Sequence, residues 1–125
     1  MRYKILTSDD SKMVRVIVGR TFGKFNCEVL EASCGSEAIE AIKTQKPDLV
    51  LLDITMPDMT GLDVLRTIRG IPETKDTQVI MLTAESGNKT VEEADSLGVK
   101  GYIAKPFKDV QLIEQVEKVL ELEPA

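Results

Sequence analysis

The chain has 125 residues, which is enough for one domain with a hydrophobic core. Hydrophobic residues make up 42% of it and charged residues 30%, a composition typical of a soluble protein. A net charge of −5 without any block of Lys and Arg argues against nucleic-acid binding, and no apolar stretch approaches the ~20 residues of a membrane span.

Two further features bear on the cellular compartment. Residues 1–7 are too few, and become polar too soon, for a signal peptide, so we expect a cytoplasmic protein. Cys27 and Cys34 lack the CxxC spacing of a metal or redox motif, and the sequence contains no histidine to complete a zinc site. We therefore expect two reduced thiols.

Short runs rich in Ile, Val and Leu alternate along the chain with segments of helical spacing. The predicted strands are residues 3–7, 27–32, 48–53, 78–83 and 101–104. The apolar stripes of the predicted helices lie in residues 14–25, 35–46, 61–71, 91–97 and 112–120, and the fourth stripe is the weakest. Asp10 and Ser11 can cap the first helix, and Gly98 follows the fourth helix where a C′ glycine is expected.

This alternation predicts an α/β fold in which a doubly wound, five-stranded parallel sheet carries five helices. No linker or repeat divides the chain, so we expect a single domain over residues 1–125. Right-handed crossovers direct the carboxyl end of every strand to the same edge of the sheet, where ligands bind in such folds. The polar residues at those ends are Asp9, Asp10, Asp53, Thr83 and Lys105.

Three carboxylates, a hydroxyl and an amine are therefore expected at one edge. Carboxylates this close repel one another unless a cation neutralises them, and oxygen ligands favour Mg²⁺, with Mn²⁺ or Ca²⁺ as alternatives, over zinc or copper. Lys105 and Thr83 offer a phosphate group a positive charge and a hydrogen-bond donor. A carboxylate beside Mg²⁺ can accept a phosphoryl group, because the metal and the lysine neutralise charge on the transferred group.

Taken singly, these residues have simpler interpretations. Asp10 alone would be a helix N-cap and Asp53 a turn residue. Thr83 would be an ordinary strand residue and Lys105 an exposed surface lysine. Their coincidence at the strand ends of one sheet favours a functional site instead. Asp58 lies outside this pattern, and we interpret it as a turn residue.

Four segments carry a resemblance to a known family: SDDSKMVR, LVLLDITMPDMTGLDVL, VIMLTAES and GYIAKPF. In this order and spacing they resemble the receiver domain of two-component response regulators over nearly the whole chain. The resemblance implies a flavodoxin-like fold with the strand order 2-1-3-4-5. It also implies a phosphorylation-activated switch, rather than an enzyme with a separate substrate, that takes its phosphoryl group from a sensor histidine kinase or a phosphotransfer protein.

The same resemblance implies roles for the acidic residues. Asp53 would be the phosphoacceptor. Asp10, Asp53 and the backbone carbonyl of Thr55 would bind Mg²⁺ directly, and Asp9 would act through a water molecule.

The resemblance also implies how the phosphoryl group is sensed. Thr83 and Lys105 would contact it, and the Lys105–Pro106 peptide would be cis. Tyr102 would move between exposed and buried rotamers and so change the face formed by the fourth helix, fifth strand and fifth helix. Thr55 and Glu85 would influence the rate of dephosphorylation.

Two enzyme or carrier classes fit less well. Magnesium-dependent phosphatases with an aspartyl-phosphate intermediate carry a second Asp two residues after the first as general acid, and this chain has Thr55 there. A flavin carrier would need a hydroxyl- and glycine-rich phosphate loop after the first strand, where Asp9 and Asp10 would repel the phosphate.

The output partner is the remaining question. The segments GLDVL and TAES, Tyr102 and the short segment after the fifth helix most resemble a stand-alone chemotaxis regulator. We therefore expect a monomer, without a DNA-binding effector, that binds a downstream protein such as the flagellar motor switch. A phosphorelay intermediate, or a receiver domain cut from a longer response regulator or hybrid kinase, is the alternative.

Overall fold

The structure is a computed structural model that describes residues 2–83 and 88–125. The strands found there are β1 (Tyr3–Ser8), β2 (Cys27–Ala32), β3 (Leu49–Asp53), β4 (Val79–Thr83) and β5 (Gly101–Ala104). They form one parallel sheet with the order β2-β1-β3-β4-β5. The helices are α1 (Lys12–Phe22), α2 (Gly35–Gln45), α3 (Gly61–Arg69), α4 (Asn88–Ser96) and α5 (Asp109–Glu117). The predicted fold and strand order are confirmed.

Hydrophobic cores cover both faces of the sheet. Side chains of α2, α3 and α4 pack on one face together with Val50, Leu52, Val79 and Met81. Side chains of α1 and α5 pack on the other face together with Leu49, Leu51, Ile80 and Leu82. All residues of β3 and β4 are buried, because a parallel strand between two helical layers has no solvent-facing side. Burial on both faces explains why the apolar runs in the sequence are continuous.

The first helix ends earlier than its apolar stripe predicts. The stripe extends to residue 25, but α1 ends at Phe22, where the backbone N–H of Gly23 donates to the carbonyl of Gly19 at 2.9 Å. Phe25 instead forms an isolated antiparallel bridge with Pro124. Its ring centroid lies 6.5 Å from that of Phe22, so an apolar contact continues the helical pattern although the helix does not.

The weakest predicted helix is confirmed as α4, which begins three residues before its predicted stripe. Among its side chains described from residue 90 onward, Ala94 alone is fully buried. Polar contacts from α3 attach it to the fold. Arg66 forms an ion pair with Glu93, and Arg69 donates from Nε to the carbonyl of Leu97 at 2.7 Å. The predicted C′ glycine, Gly98, follows with a left-handed φ of 76°.

Tyr102, from β5, also binds α4 through hydrogen bonds. The hydroxyl of Tyr102 lies 3.0 Å from the carbonyl of Val91 and 2.5 Å from Oδ1 of Asp95. Burial and the hydrogen bond to the Asp95 carboxylate both raise the pKa of Tyr102. Since the neutral phenol is the hydrogen-bond donor, this contact stabilises the folded state below the ordinary tyrosine pKa of about 10. That stabilisation is lost as pH rises through the raised pKa.

We expect Asp95→Ala to lower the pKa of Tyr102 toward the ordinary value, because the Asp95 carboxylate then no longer opposes ionisation of the phenol. The measurement is tyrosinate absorbance against pH in a Tyr3→Phe background, where Tyr102 is the only tyrosine. Far-UV circular dichroism at each pH confirms that the protein remains folded. Asp95→Asn keeps an acceptor without the charge and should give an intermediate titration curve. A curve unchanged in Asp95→Ala would contradict the contact.

Candidate functional site

The predicted site residues meet above the carboxyl edge of the sheet. Asp9 and Asp10 follow β1, Asp53 and Thr83 end β3 and β4, and Lys105 follows β5. An open pocket of about 240 Å³ lies at this edge. Its lining consists of Asp10, Asp53, Ile54, Thr55, Thr83, Thr90 and Lys105.

Carboxylate oxygens of Asp9, Asp10 and Asp53 lie within 4.8 Å of one another. Asp9 is fully buried, Asp53 is 5% exposed, and Asp10 is exposed on the pocket side. Burial, together with the neighbouring Asp9 charge, raises the pKa of Asp53, while Lys105 acts in the opposite direction. When ionised, the three acids and the one lysine sum to a charge of −2. Hard oxygen donors and two uncompensated negative charges fit a divalent cation such as Mg²⁺.

Lys105 lies between two of these acids. Its Nζ is 2.7 Å from Oδ2 of Asp9 and 3.1 Å from Oδ1 of Asp53. Burial by itself would lower the pKa of Lys105, but the hydrogen bonds and charges of the two carboxylates outweigh it and the pKa is raised. The Lys105–Pro106 peptide is cis, as the sequence resemblance implied. The ammonium is thus held beside Asp53 rather than exposed on the surface, which excludes the simpler interpretation of this lysine.

The simpler interpretations of the acids do not hold either. Ser11, not Asp10, is the N-cap of α1, and its hydroxyl accepts a hydrogen bond from the backbone of Val14 at 3.3 Å. Asp9 supports this cap, because its Oδ1 accepts the N–H of Ser11 at 2.9 Å. Asp53 is a buried strand residue rather than part of a turn. Asp10 is therefore left facing the pocket.

The chain after Asp53 is packed closely against it. The backbone N–H of Thr55 lies 3.4 Å from Oδ1 of Asp53. A Cβ at Gly61 would lie 2.3 Å from the Asp53 carbonyl oxygen, so only glycine permits α3 to begin this near the strand end. Thr55 lines the pocket together with Asp10 and Asp53. The predicted coordination by its carbonyl stays a prediction.

Tyr102 does not line the pocket. It is the second residue of β5 and lies on the same face of the sheet as Thr83, since Met81 pairs with Tyr102 and Thr83 pairs with Ala104. Thr90, from α4, does line the pocket, and sequence reasoning missed it because its place depends on how α4 packs. Glu85 lies outside the described residues.

The chain was compared with known proteins. Residues 5–117 match the response regulator receiver domain family. The chain is 40% identical over 119 residues to the chemotaxis protein CheY1 of Helicobacter pylori. This match covers 94% of this chain and 96% of the relative. It is 33% identical over 122 residues to sporulation initiation phosphotransferase F of Bacillus subtilis, covering 98% of this chain and 97% of that protein.

A solved structure of a chemotaxis protein has the same fold as this chain. The chemotaxis protein CheY4 of Vibrio cholerae superposes with a TM-score of 0.89 at 31% identity, covering 96% of this chain and all of that one. Within the described residues, no helix combines the length and apolar character needed to cross a membrane. The family match includes Asp9, Asp10, Asp53 and Lys105. The protein therefore belongs to the response regulator receiver domain family, the phosphoacceptor domains of two-component signalling.

Proposed function

We propose that this protein is a single receiver domain, over residues 1–125, that is activated when Asp53 accepts a phosphoryl group from a sensor histidine kinase or a phosphotransfer protein. The observation that carries this proposal is the environment of Asp53. Its carboxylate is buried beside two further acids and in contact with the Lys105 ammonium, at the mouth of an open pocket. The domain catalyses only its own phosphorylation and dephosphorylation.

Five of the residues that line the pocket have a part in this transfer. A carboxylate oxygen of Asp53 forms the new bond to phosphorus while the bond from phosphorus to the donor breaks, and the donor leaves with the electron pair. Lys105 and the Thr83 hydroxyl bind the phosphoryl oxygens and so stabilise the negative charge that moves into the pocket. Asp10, Asp53 and the Thr55 carbonyl are the residues that would hold Mg²⁺, with Asp9 acting through water. When bound, the metal neutralises charge on the phosphoryl oxygens.

The signal leaves through the face formed by α4, β5 and α5. The phosphoryl group on Asp53 carries nearly two negative charges on three acceptor oxygens, which draws the Thr83 hydroxyl inward. Thr83 and Tyr102 share one face of the sheet, and the Tyr102 hydroxyl is bound to α4. Movement of the Tyr102 ring into the vacated volume therefore changes the contacts that hold α4. Burying that ring would stabilise the active state by about 1–2 kcal/mol.

We further propose a chemotaxis-type output, in which a monomer in the cytoplasm binds a downstream protein such as the flagellar motor switch and not a nucleic acid. The 40% identity with a chemotaxis protein supports this choice. The 33% identity with sporulation initiation phosphotransferase F favours the second candidate, a phosphorelay intermediate. A receiver domain of a longer response regulator or hybrid kinase would use the same site.

Phosphorylation can be tested with a small donor. With acetyl phosphate and Mg²⁺, we expect the intact mass to rise by one phosphoryl group, and Asp53→Asn to abolish the rise because the nucleophilic carboxylate is gone. Asp10→Ala should need a higher Mg²⁺ concentration for the same rise. Asp76→Asn, at an exposed position before β4, serves as the matched control and should behave like the parent. A mass rise that persists in Asp53→Asn would place the acceptor elsewhere.

The route from the phosphoryl group to α4 can be tested by nuclear magnetic resonance. With Mg²⁺ and the phosphoryl mimic beryllofluoride, we expect amide shifts in α4 and β5 as well as beside the pocket. Thr83→Ala should still accept a phosphoryl group but lose most of the shifts in α4, since no hydroxyl is drawn inward. Thr83→Ser keeps the hydroxyl and should retain them. The full response in Thr83→Ala would show that the signal takes another route.

A further inference from the structure

The loop that follows Asp53 is closed at its base by backbone contacts. We call residues 54–60 the site loop. Thr55 and Thr60 form an isolated antiparallel bridge, and the N–H of Gly61 donates to the carbonyl of Ile54 at 2.7 Å. Thr60 is also the N-cap of α3 and shares a capping box with Asp63. The base of the loop is therefore fixed to the start of α3.

The far end of the site loop is attached to a different helix. Oδ1 of Asp58 accepts the backbone N–H of Gly35 at 2.7 Å, and Oδ2 accepts the N–H of Ser36 at 2.9 Å. These bonds hold the pKa of Asp58 below its usual value. Met59 packs beside the same turn, because a Cβ at Gly35 would lie 2.2 Å from its Cγ. The interpretation of Asp58 as a turn residue is therefore incomplete, since its carboxylate bonds residues more than twenty positions away.

Helix α2 has no cap of its own that could replace Asp58. Its N-cap residue is Cys34, whose side chain makes no capping hydrogen bond. The first N–H groups of a helix have no partner within the helix, and a carboxylate is a favourable acceptor for them. Asp58 supplies that acceptor from the site loop, so α2 and the site loop hold each other in place.

We propose that Asp58 is a positioning residue for the metal site: by fastening the site loop to α2, it holds Thr55 and the backbone after Asp53 in the arrangement that binds Mg²⁺. This inference rests on the proposed function, in which Thr55 and Asp53 hold the metal. Asp58 does not line the pocket, and it does not belong to the acidic cluster of Asp9, Asp10 and Asp53. Its effect on the metal is therefore indirect, through the conformation of the loop. A loop released at this end would have to be ordered again when the metal binds, which weakens binding.

A second acid at the start of α2 provides a matched control. Oε1 of Glu37 accepts both the N–H and the hydroxyl of Ser33, at 2.8 and 2.7 Å. Like Asp58, it is a carboxylate with two hydrogen bonds at the α2 N-terminus. Unlike Asp58, it binds the segment before α2, and within the described part of the chain its hydrogen bonds go to Ser33 and not to the site loop. Glu37→Ala therefore removes a comparable local contact while leaving the loop fastened.

The test measures Mg²⁺ affinity by isothermal titration calorimetry and amide hydrogen exchange without metal, in the parent, Asp58→Ala, Asp58→Asn and Glu37→Ala. We expect Asp58→Ala to bind Mg²⁺ roughly tenfold more weakly and to exchange faster in residues 54–60. Asp58→Asn keeps one acceptor oxygen and should be intermediate in both. Glu37→Ala should match the parent in affinity and in the exchange of residues 54–60. Thermal melting identifies any variant that fails to fold, in which case Asp58→Asn carries the comparison.

Two results would overturn the positioning role. One is parent-like affinity and loop exchange in Asp58→Ala. The other is an equal loss in Asp58→Ala and Glu37→Ala, which would trace the effect to α2 stability alone. A parent that binds no Mg²⁺ would count against the proposed metal site instead. Exchange in residues 54–60 would then decide the positioning role by itself, because faster exchange in Asp58→Ala alone supports it and unchanged exchange overturns it.

Discussion

The crowding of three carboxylates around one ammonium is the constraint on which the rest of the structure depends. Asp9 and Asp53 are buried, and both contact Lys105. When the three acids are ionised, the cluster with its lysine still carries a net charge of −2. Like charges in a partly buried site raise one another's free energy, so the cluster is stabilised by whatever cation enters the pocket. A dianionic phosphoryl group can be accommodated there only with such compensation. In the proposed function, affinity for a divalent metal and acceptance of a phosphoryl group thus have the same electrostatic origin.

The parallel sheet supplies the rigidity that this cluster needs. Both β3 and β4 are buried on both faces, so Asp53 and Thr83 project from strands that cannot shift without disturbing two hydrophobic cores. Side chains alternate along a strand, which places Asp53 on the face of α1 and α5 and Thr83 on the face of α3 and α4. The pocket lies over the edge between these faces. A charge placed at Asp53 can therefore act on residues of the opposite helical layer.

Much of this arrangement could be predicted from the sequence, because it follows from local pattern and from general rules of topology. Short continuous apolar runs and stripes of helical period located the elements, and the common direction of parallel strands located the acidic cluster. Contacts between distant segments could not be predicted in this way. The bond from Asp58 to α2, the place of Thr90 at the pocket and the contact of Tyr102 with Asp95 depend on how loops and helices pack in three dimensions. No periodicity in the sequence predicts these contacts.

The two sides of the pocket are held by different kinds of interaction, and this difference has a functional consequence. The site loop is fixed at its base by α3 and at its far end by α2, whose buried side chains belong to the core. From residue 90 onward, helix α4 buries little beyond Ala94 and depends on polar contacts to Arg66, Arg69 and Tyr102. Exposed or half-exposed polar contacts contribute little free energy each, so they can be exchanged at small cost. In the proposed function, the acidic side keeps its geometry through phosphorylation while α4 responds to it. The proposed function thereby places chemistry that needs rigidity and signalling that needs movement on opposite sides of the same pocket, within one small domain.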